Sequence, residues 1–154
     1  MAPTRAPASI HVAALALLLA ASVQAGAAVL ASASSTVGFA QWIFAAAVLG
    51  VLWWGILRGY RLAWLWGRYL TLFLAMLVAI TVGAGLWKGQ LPWGIAALLG
   101  GGLVLPLLTA SMALGRPAAL RWFDLYCPKC QTPASRGKDF LFREARCGAC
   151  KNVW

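Results

Sequence analysis

Four apolar stretches, each long enough to cross a lipid bilayer as a helix, constrain the fold of this 154-residue chain most strongly. They run approximately over residues 10–30, 39–57, 69–87 and 93–114, and none contains an internal Asp, Glu, Lys or Arg. A helix rises about 1.5 Å per residue, so about 20 residues span the roughly 30 Å of hydrocarbon in a bilayer. Because backbone polar groups in lipid must be satisfied within the segment, the sequence predicts an all-α membrane protein with four transmembrane helices.

The composition agrees with a membrane protein that carries a polar C-terminal tail. Hydrophobic residues make up 62% of the sequence and charged residues 10%, whereas soluble domains have about half and about a quarter, respectively. All three acidic residues and eight of the thirteen basic residues lie in the segment that begins at Arg116. We therefore expect a four-helix transmembrane domain over residues 1–116 and a cytosolic tail over residues 117–154.

The first apolar stretch has two interpretations. Arg5, the apolar run over residues 12–21 and the small-residue pattern Val23-Gln24-Ala25 are similar to a secretory signal with its cleavage site. The apolar character continues to Leu30, beyond the core of a usual signal, which favours a retained helix. A cleaved signal would leave the tail on the same side of the membrane.

The basic residues near the helix ends predict the orientation of the chain. Cytoplasmic loops of membrane proteins carry an excess of Lys and Arg. If both termini are cytoplasmic, only Lys88 faces the outside, and the inner side receives Arg5, Arg58, Arg61, Arg68, Arg116 and Arg121. The richness in Ala, Gly, Trp and Arg is typical of a GC-rich bacterial genome, so the predicted location is the bacterial inner membrane.

The net charge of +10 raises the hypothesis of nucleic-acid binding, since clustered Lys and Arg neutralise phosphates. The positions of the bases argue against it, because bases in short membrane loops act as topology determinants. The lipid bilayer is their expected partner, and basic residues of the tail are expected to hold it against anionic headgroups.

The membrane segments lack the Asp, Glu, Lys and Arg residues that usually mark ion paths and proton relays. His11 lies at the edge of its segment, with no second ligand near it in the sequence. Transport by a single chain is therefore disfavoured. An oligomeric channel or transporter subunit regulated by the tail stays an alternative, because small residues that permit close helix packing recur at Ala75, Ala79 and Gly83.

All four cysteines lie in the tail, in two CxxC pairs separated by sixteen residues. Two such pairs on short turns can deliver four thiolates to one tetrahedral ion, and this separation matches a common zinc pattern. We predict a structural Zn²⁺ site with the ligands Cys127, Cys130, Cys147 and Cys150. Iron, redox-active thiols and disulfides are the alternatives, although disulfides are uncommon on the reducing cytoplasmic side.

The tail over residues 123–154 resembles a zinc ribbon, a small β-rich module in which two rubredoxin-like knuckles, each a CxxC pair on a turn, bind one zinc ion. Pro128 in the first knuckle and the aromatic Trp154 after the second are similar to that family, while Gln131 and Lys151 replace the glycine that usually follows each knuckle. The alternating pattern over residues 138–146 predicts a strand entering the second knuckle. Residues 132–137, with Pro, Ser and Gly, predict a turn between hairpins.

A site with four protein ligands has no open position for a water or a substrate, so we expect no catalysis by the metal. The sequence thus indicates an integral membrane protein that presents a cytosolic structural zinc module to a protein partner. The runner-up hypothesis is electron or thiol–disulfide transfer through the cysteine tail, coupled to a membrane partner. Bound iron or a cycling cysteine pair would favour this second hypothesis.

Overall fold

The computed structural model describes residues 6–32, 36–137 and 144–154, and it is mostly helical. Within these residues, four helical spans are long and apolar enough to cross a membrane: Ala8–Val29, Phe39–Leu57, Arg61–Trp87 and Trp93–Leu114. The prediction of four long apolar helices is therefore confirmed. The first three helices are α1 (Ala8–Ser32), α2 (Thr36–Leu57) and α3 (Arg61–Trp87).

The fourth span is one continuous helix with a widened turn in its middle. It consists of α4 (Trp93–Leu99), a π-helical turn (Gly100–Val104) and α5 (Leu105–Leu114). Proline lacks an N–H and its ring clashes with the carbonyl four residues earlier. Just before Pro106 the Leu105 N–H bonds to the carbonyl of Gly100, five residues back, which widens the turn. Gly102 lies against α1, where a Cβ atom would come within 3.2 Å of Val23.

Helix α1 supplies much of the core because it packs against both α2 and α5. One side of α1 is buried, with Ile10, Ala13, Leu17 and Ala20 at 0% exposure. Their spacing of three or four residues places them on one face of the helix. The segment that resembles a secretory signal therefore contributes core residues to this structure.

Helix α3 begins at Arg61, whereas the sequence predicts a start at Tyr69. The predicted start was wrong because hydropathy excludes Arg61 and Arg68 from an apolar helix. In the structure the Arg68 guanidinium lies 5.9 Å from the ring centroids of both Trp64 and Tyr69. Contacts with aromatic faces stabilise such a cation, so the helix accommodates it before the apolar part begins.

The outer surface of the bundle is apolar over most of its length. Helix α3 exposes large side chains such as Leu72, Phe73 and Ile80. Trp87 and Trp93, at the ends of α3 and α4 away from the tail, are 92% and 80% exposed. Exposed aliphatic residues bordered by tryptophans suit a surface that faces hydrocarbon and meets headgroups at its edge.

The tail contains one short helix and a small sheet. Helix α6 (Pro117–Trp122) is followed by β1 (Ala134–Gly137) and β2 (Ala145–Cys147), which pair antiparallel. Isolated bridges join Tyr126 with Pro133 and Arg146 with Val153. Of the predicted β-rich ribbon, the described residues contain only this sheet and these bridges.

Two predictions for the tail have different outcomes. The turn predicted over residues 132–137 is wrong, because Ala134–Gly137 is strand β1. Its Pro, Ser and Gly content is typical of a loop, but pairing with β2 determines the conformation. Of the strand predicted over residues 138–146, residues 138–143 lie outside the described part of the chain, and the end at Ala145 belongs to β2.

Candidate metal centre

The two cysteine pairs occupy turns with the same backbone hydrogen bond. In the first turn the Cys127 N–H donates to the Thr132 carbonyl, and in the second the Cys147 N–H donates to the Asn152 carbonyl, both at 2.9 Å. Each bond joins the first cysteine of a pair to the residue five positions later. Both pairs therefore lie on turns with the same backbone hydrogen-bonding pattern, although the residues between the cysteines differ.

The residue after the second cysteine has a positive φ in both turns, 56° at Gln131 and 59° at Lys151. The left-handed conformation costs a residue with a Cβ atom about 1–2 kcal/mol and costs glycine little. These are the positions at which the zinc-ribbon resemblance implies glycine. The turns therefore have the backbone conformation that glycine adopts easily, although Gln131 and Lys151 carry side chains that disfavour it.

The turns bring all four cysteine sulfurs within 4.8 Å of one another. Contacts between the two turns join Cys127 with Cys150 at 3.5 Å, Cys130 with Cys147 at 3.3 Å, and Cys130 with Cys150 at 3.6 Å. A tetrahedral zinc ion with bonds of about 2.3 Å holds its sulfurs about 3.8 Å apart. All four cysteines are free thiols, so the cluster can bind a metal ion.

The site lies at the surface of the tail, with one side covered. Cys127 and Cys147 are buried, whereas Cys130 and Cys150 are exposed. The hydroxyl oxygen of Thr132 lies between two of the sulfurs, 2.9 Å from Cys130 Sγ and 3.0 Å from Cys147 Sγ. Hydrogen bonds from such neighbouring groups orient metal ligands and tune their basicity.

These contacts shift the thiol pKa values in opposite directions. The Thr132 hydroxyl lowers the pKa of Cys147 to about 6, assisted by the backbone N–H of Cys150. The same hydroxyl lowers the pKa of Cys130. The backbone N–H of Asn152 acts to lower the pKa of Cys150, but desolvation and the neighbouring thiols outweigh it and raise this pKa to about 12.

The thiols also influence one another through their charges. One thiolate forms readily in this cluster, and its negative charge then opposes the ionisation of a thiol only 3–4 Å away. A bound cation reverses that repulsion, because the ion becomes the largest local charge and deprotonates its thiol ligands. The cluster therefore has the charge requirement of a cation site.

Arg61 joins the tail to the membrane helices. Its guanidinium group donates hydrogen bonds to the carbonyls of Phe123 at 3.3 Å, Asp124 at 3.1 Å and Trp154 at 3.1 Å. It also forms an ion pair with the Asp124 carboxylate at 2.7 Å. The Arg61 side chain is 18% exposed and that of Asp124 is 77% exposed, so the screened ion pair contributes less than the carbonyl contacts.

The beginning of the tail is also packed into the core of the bundle. Phe123 and Leu125, just before the first cysteine, are each 1% exposed and belong to the same apolar cluster as the membrane helices. The indole of Trp122 donates to the Ile56 carbonyl at 3.2 Å. Gly59, with a φ of 73°, lies directly against that indole, where a Cβ atom would come within 3.4 Å. The cysteine cluster is thus held at one end of the bundle.

The structure brings together the four cysteines that the sequence predicts, and it adds residues that the sequence did not identify. The position of Thr132 is a weak sequence indication of its role, because a hydroxyl two residues after a cysteine pair can reach the sulfurs. Arg61 was interpreted only as a topology determinant. No local pattern links it to Phe123, 62 residues away in the chain.

The fold and this site define the class of the protein: a multi-pass membrane protein whose C-terminal tail carries a cysteine cluster able to bind a metal ion. Comparisons of the chain with protein-family models, with curated proteins and with solved structures found no match. The resemblance of the tail to a zinc ribbon therefore rests on the two cysteine pairs and the turns that carry them.

Proposed function

We propose that this protein is a membrane-anchored zinc module that presents a small cytosolic surface to a protein partner and has no catalytic activity of its own. The observation that carries the proposal is the cluster of four thiols within 4.8 Å, delivered by two turns of the same design. Four thiolates around one ion form a closed structural site, with no position left for a reacting water.

Zinc is the metal that this site supports best. Tetrahedral sites with four sulfur ligands bind zinc or iron. The tail is short and its sheet is small, so metal binding would supply much of its folding free energy, as in small zinc modules. Contacts of 3.3–3.6 Å connect cysteines of different pairs, which favours one four-ligand site over a redox disulfide within a CxxC pair.

The proposed interaction surface consists of the exposed tips of the two knuckles. Pro128, Lys129, Gly148 and Ala149 are all exposed. The packing of Phe123 and Leu125 in the bundle core would hold this surface at a constant height above the membrane. A surface with a defined position relative to the bilayer suits the recruitment or positioning of a partner.

The proposed orientation places the tail in the cytoplasm of a bacterial cell, with the helices in the inner membrane. The helix ends beside the tail carry Arg58, Arg61, Arg68, Arg116 and Arg121, whereas the opposite end carries Lys88. This asymmetry satisfies the positive-inside rule when the tail is cytoplasmic. A reporter fused after Trp154 that fluoresces only in the cytoplasm tests the orientation, and a dark fusion would contradict it.

Metal analysis of the detergent-purified protein tests the zinc site. We expect one zinc per chain in the wild type, none in the Cys147→Ser/Cys150→Ser variant, and one in the matched control Ala149→Ser, which keeps all four thiols. Iron in the wild type, or oxidised thiols without metal, would overturn the zinc proposal and support electron or thiol transfer.

A photo-cross-linking residue at Ala149, introduced in cells, tests the partner surface. We expect a discrete cross-linked product with another protein, lost when the first knuckle carries Cys127→Ser. The control position is Ala97, which is exposed on the lipid-facing side of α4. A product containing only a second copy of this chain would instead support the oligomeric alternative, and no product would refute the interaction surface while leaving the zinc site intact.

A further inference from the structure

An apolar groove of about 950 Å³ runs between α2 and α3 on the side of the bundle that faces lipid. Its walls include Ala47, Val51 and Gly55 of α2 and Ala63, Trp66 and Leu70 of α3. The groove lies apart from the metal centre, and its lining includes Leu52 and Ala63 of the bundle core. Its volume lies at the upper end of the roughly 300–1,000 Å³ typical of small-molecule sites.

The groove closes beside the tail and opens along the helices. At its closed end the two helices approach so closely that a Cβ atom at Gly55 would lie 2.7 Å from that of Ala63. On α2 the lining extends from Gly55 to Phe44, eleven residues or about 16 Å at about 1.5 Å per residue. This length is about half of the roughly 30 Å hydrocarbon thickness of a bilayer. The groove therefore lies within one leaflet, the leaflet beside the tail.

The closed end of the groove carries polar and charged residues, which suit the depth at which lipid headgroups lie. The lining there includes Gly59, Tyr60 and Arg61. Next to them Arg58 is exposed, with its guanidinium 5.2 Å from the ring centroid of Trp54, another lining residue. None of the described lining residues is acidic. Since Arg61 is engaged with Asp124, Arg58 is the cation best placed to meet a negative headgroup.

We propose that this groove binds one anionic phospholipid of the leaflet beside the tail, with an acyl chain between α2 and α3 and its phosphate at Arg58. The lining is hydrocarbon-like, the depth matches one leaflet, and the cation lies at the headgroup level. A transmembrane helix of a second copy would cross both leaflets, whereas the groove extends through only one. The acyl chain therefore fits its length better.

Native mass spectrometry of the delipidated protein, titrated with phosphatidylglycerol and phosphatidylcholine of identical acyl chains, tests this proposal. We expect one phosphatidylglycerol per chain, preferred about fivefold, which is the ratio given by about 1 kcal/mol for one cation. Arg58→Gln should remove the preference. Ala47→Phe, which fills the groove, should reduce retained lipid at least tenfold, and Ala47→Leu should reduce it less.

The matched control is Ala79→Phe, which adds the same side chain to an exposed position of α3 outside the groove. Lipid retention that falls equally in Ala47→Phe and Ala79→Phe, or in neither, would overturn the groove assignment. A wild type without preference for phosphatidylglycerol would overturn the headgroup assignment. A dimer that Ala47→Phe disrupts and Ala79→Phe preserves would identify a second copy as the occupant and refute the lipid.

Discussion

Replacement of Arg61 by glutamine should weaken the docking of the cysteine tail on the membrane helices without unfolding them. Arg61 is the first residue of α3, and its guanidinium group contacts the carbonyls of Phe123, Asp124 and Trp154. These acceptors flank the metal centre on both sides in the sequence. Glutamine is too short to reach all of them, so the contacts at both ends of the module should be lost together.

The expected loss of local stability follows from the hydrogen bonds that Arg61 donates to these acceptors. The Phe123 and Trp154 carbonyls are reached by part-buried bonds, and a hydrogen bond involving a charged group contributes about 1.5–3 kcal/mol. The ion pair with Asp124, whose side chain is 77% exposed, contributes at most about 1 kcal/mol. Taking the lower value for the two carbonyls, the tail should lose about 3 kcal/mol of local stability, a change of roughly a hundredfold in its opening equilibrium.

Hydrogen–deuterium exchange of the protein in detergent micelles measures this opening directly. The informative amides are those of Ala145 and Trp154, which bond to each other's carbonyls at 2.9 Å and 3.0 Å. Their exchange should accelerate roughly a hundredfold in Arg61→Gln. Exchange at Leu17, in the buried face of α1, should not change.

Two further variants separate the tail contacts from general charge effects. Arg58→Gln removes the same charge from the connection just before α3, and it should leave the tail amides unaffected. Asp124→Asn removes only the exposed ion pair, so its effect should stay below about fivefold. The reasoning is refuted if the tail of Arg61→Gln exchanges at the wild-type rate, or if Arg58→Gln accelerates it equally.

Three other variants have defined expectations. Thr132→Val should weaken metal affinity about 10–100-fold in a chelator competition, with recovery in Thr132→Ser, because the hydroxyl lies within hydrogen-bond distance of two ligand sulfurs and can donate to either. Gln131→Gly should stabilise the metal-bound tail by about 0.5–1 kcal/mol in the same assay, since its φ is 56°, whereas Gln131→Ala should not. Trp64→Phe should lower bundle stability by about 1–3 kcal/mol in thermal unfolding, since it leaves the Leu114 carbonyl unpaired, while Trp87→Phe should have little effect.

The helices could be predicted from the sequence because the requirement of a bilayer is local: an uncharged apolar run of sufficient length is a helix wherever it occurs. The beginning of α3 could not, because Arg61 and Arg68 are stabilised by groups that hydropathy does not register. Trp64 also makes a contact that hydropathy does not predict. Its side chain is buried and donates to the Leu114 carbonyl at 2.9 Å.

The proximity of the four cysteines could also be predicted, since two CxxC pairs at this spacing suit one ion. Their turns could not be derived in detail, because Gln131 and Lys151 adopt positive φ values that their residue types disfavour. The strand at Ala134–Gly137 was missed because Pro133, Ser135 and Gly137 are typical of a turn, whereas pairing with Ala145–Cys147 determines the conformation. The contacts of Arg61 with Phe123 and of Trp64 with Leu114 were missed because they join segments that are distant in the sequence.

Metal binding and tail docking should be thermodynamically linked, because Trp154 belongs to both. Its backbone pairs with Ala145, two residues before Cys147, and its carbonyl accepts a hydrogen bond from Arg61. A metal bound to the four cysteines stabilises the pairing of Ala145 with Trp154, and hence the Arg61 contact. Thermodynamic linkage makes the effect reciprocal. Chelation should therefore accelerate exchange at Trp154 in the wild type. Conversely, Arg61→Gln should weaken zinc binding, by the same factor by which the removal of zinc weakens the docking of the tail. Equal zinc affinities in Arg61→Gln and Arg58→Gln would show that the metal centre and the bundle are energetically independent.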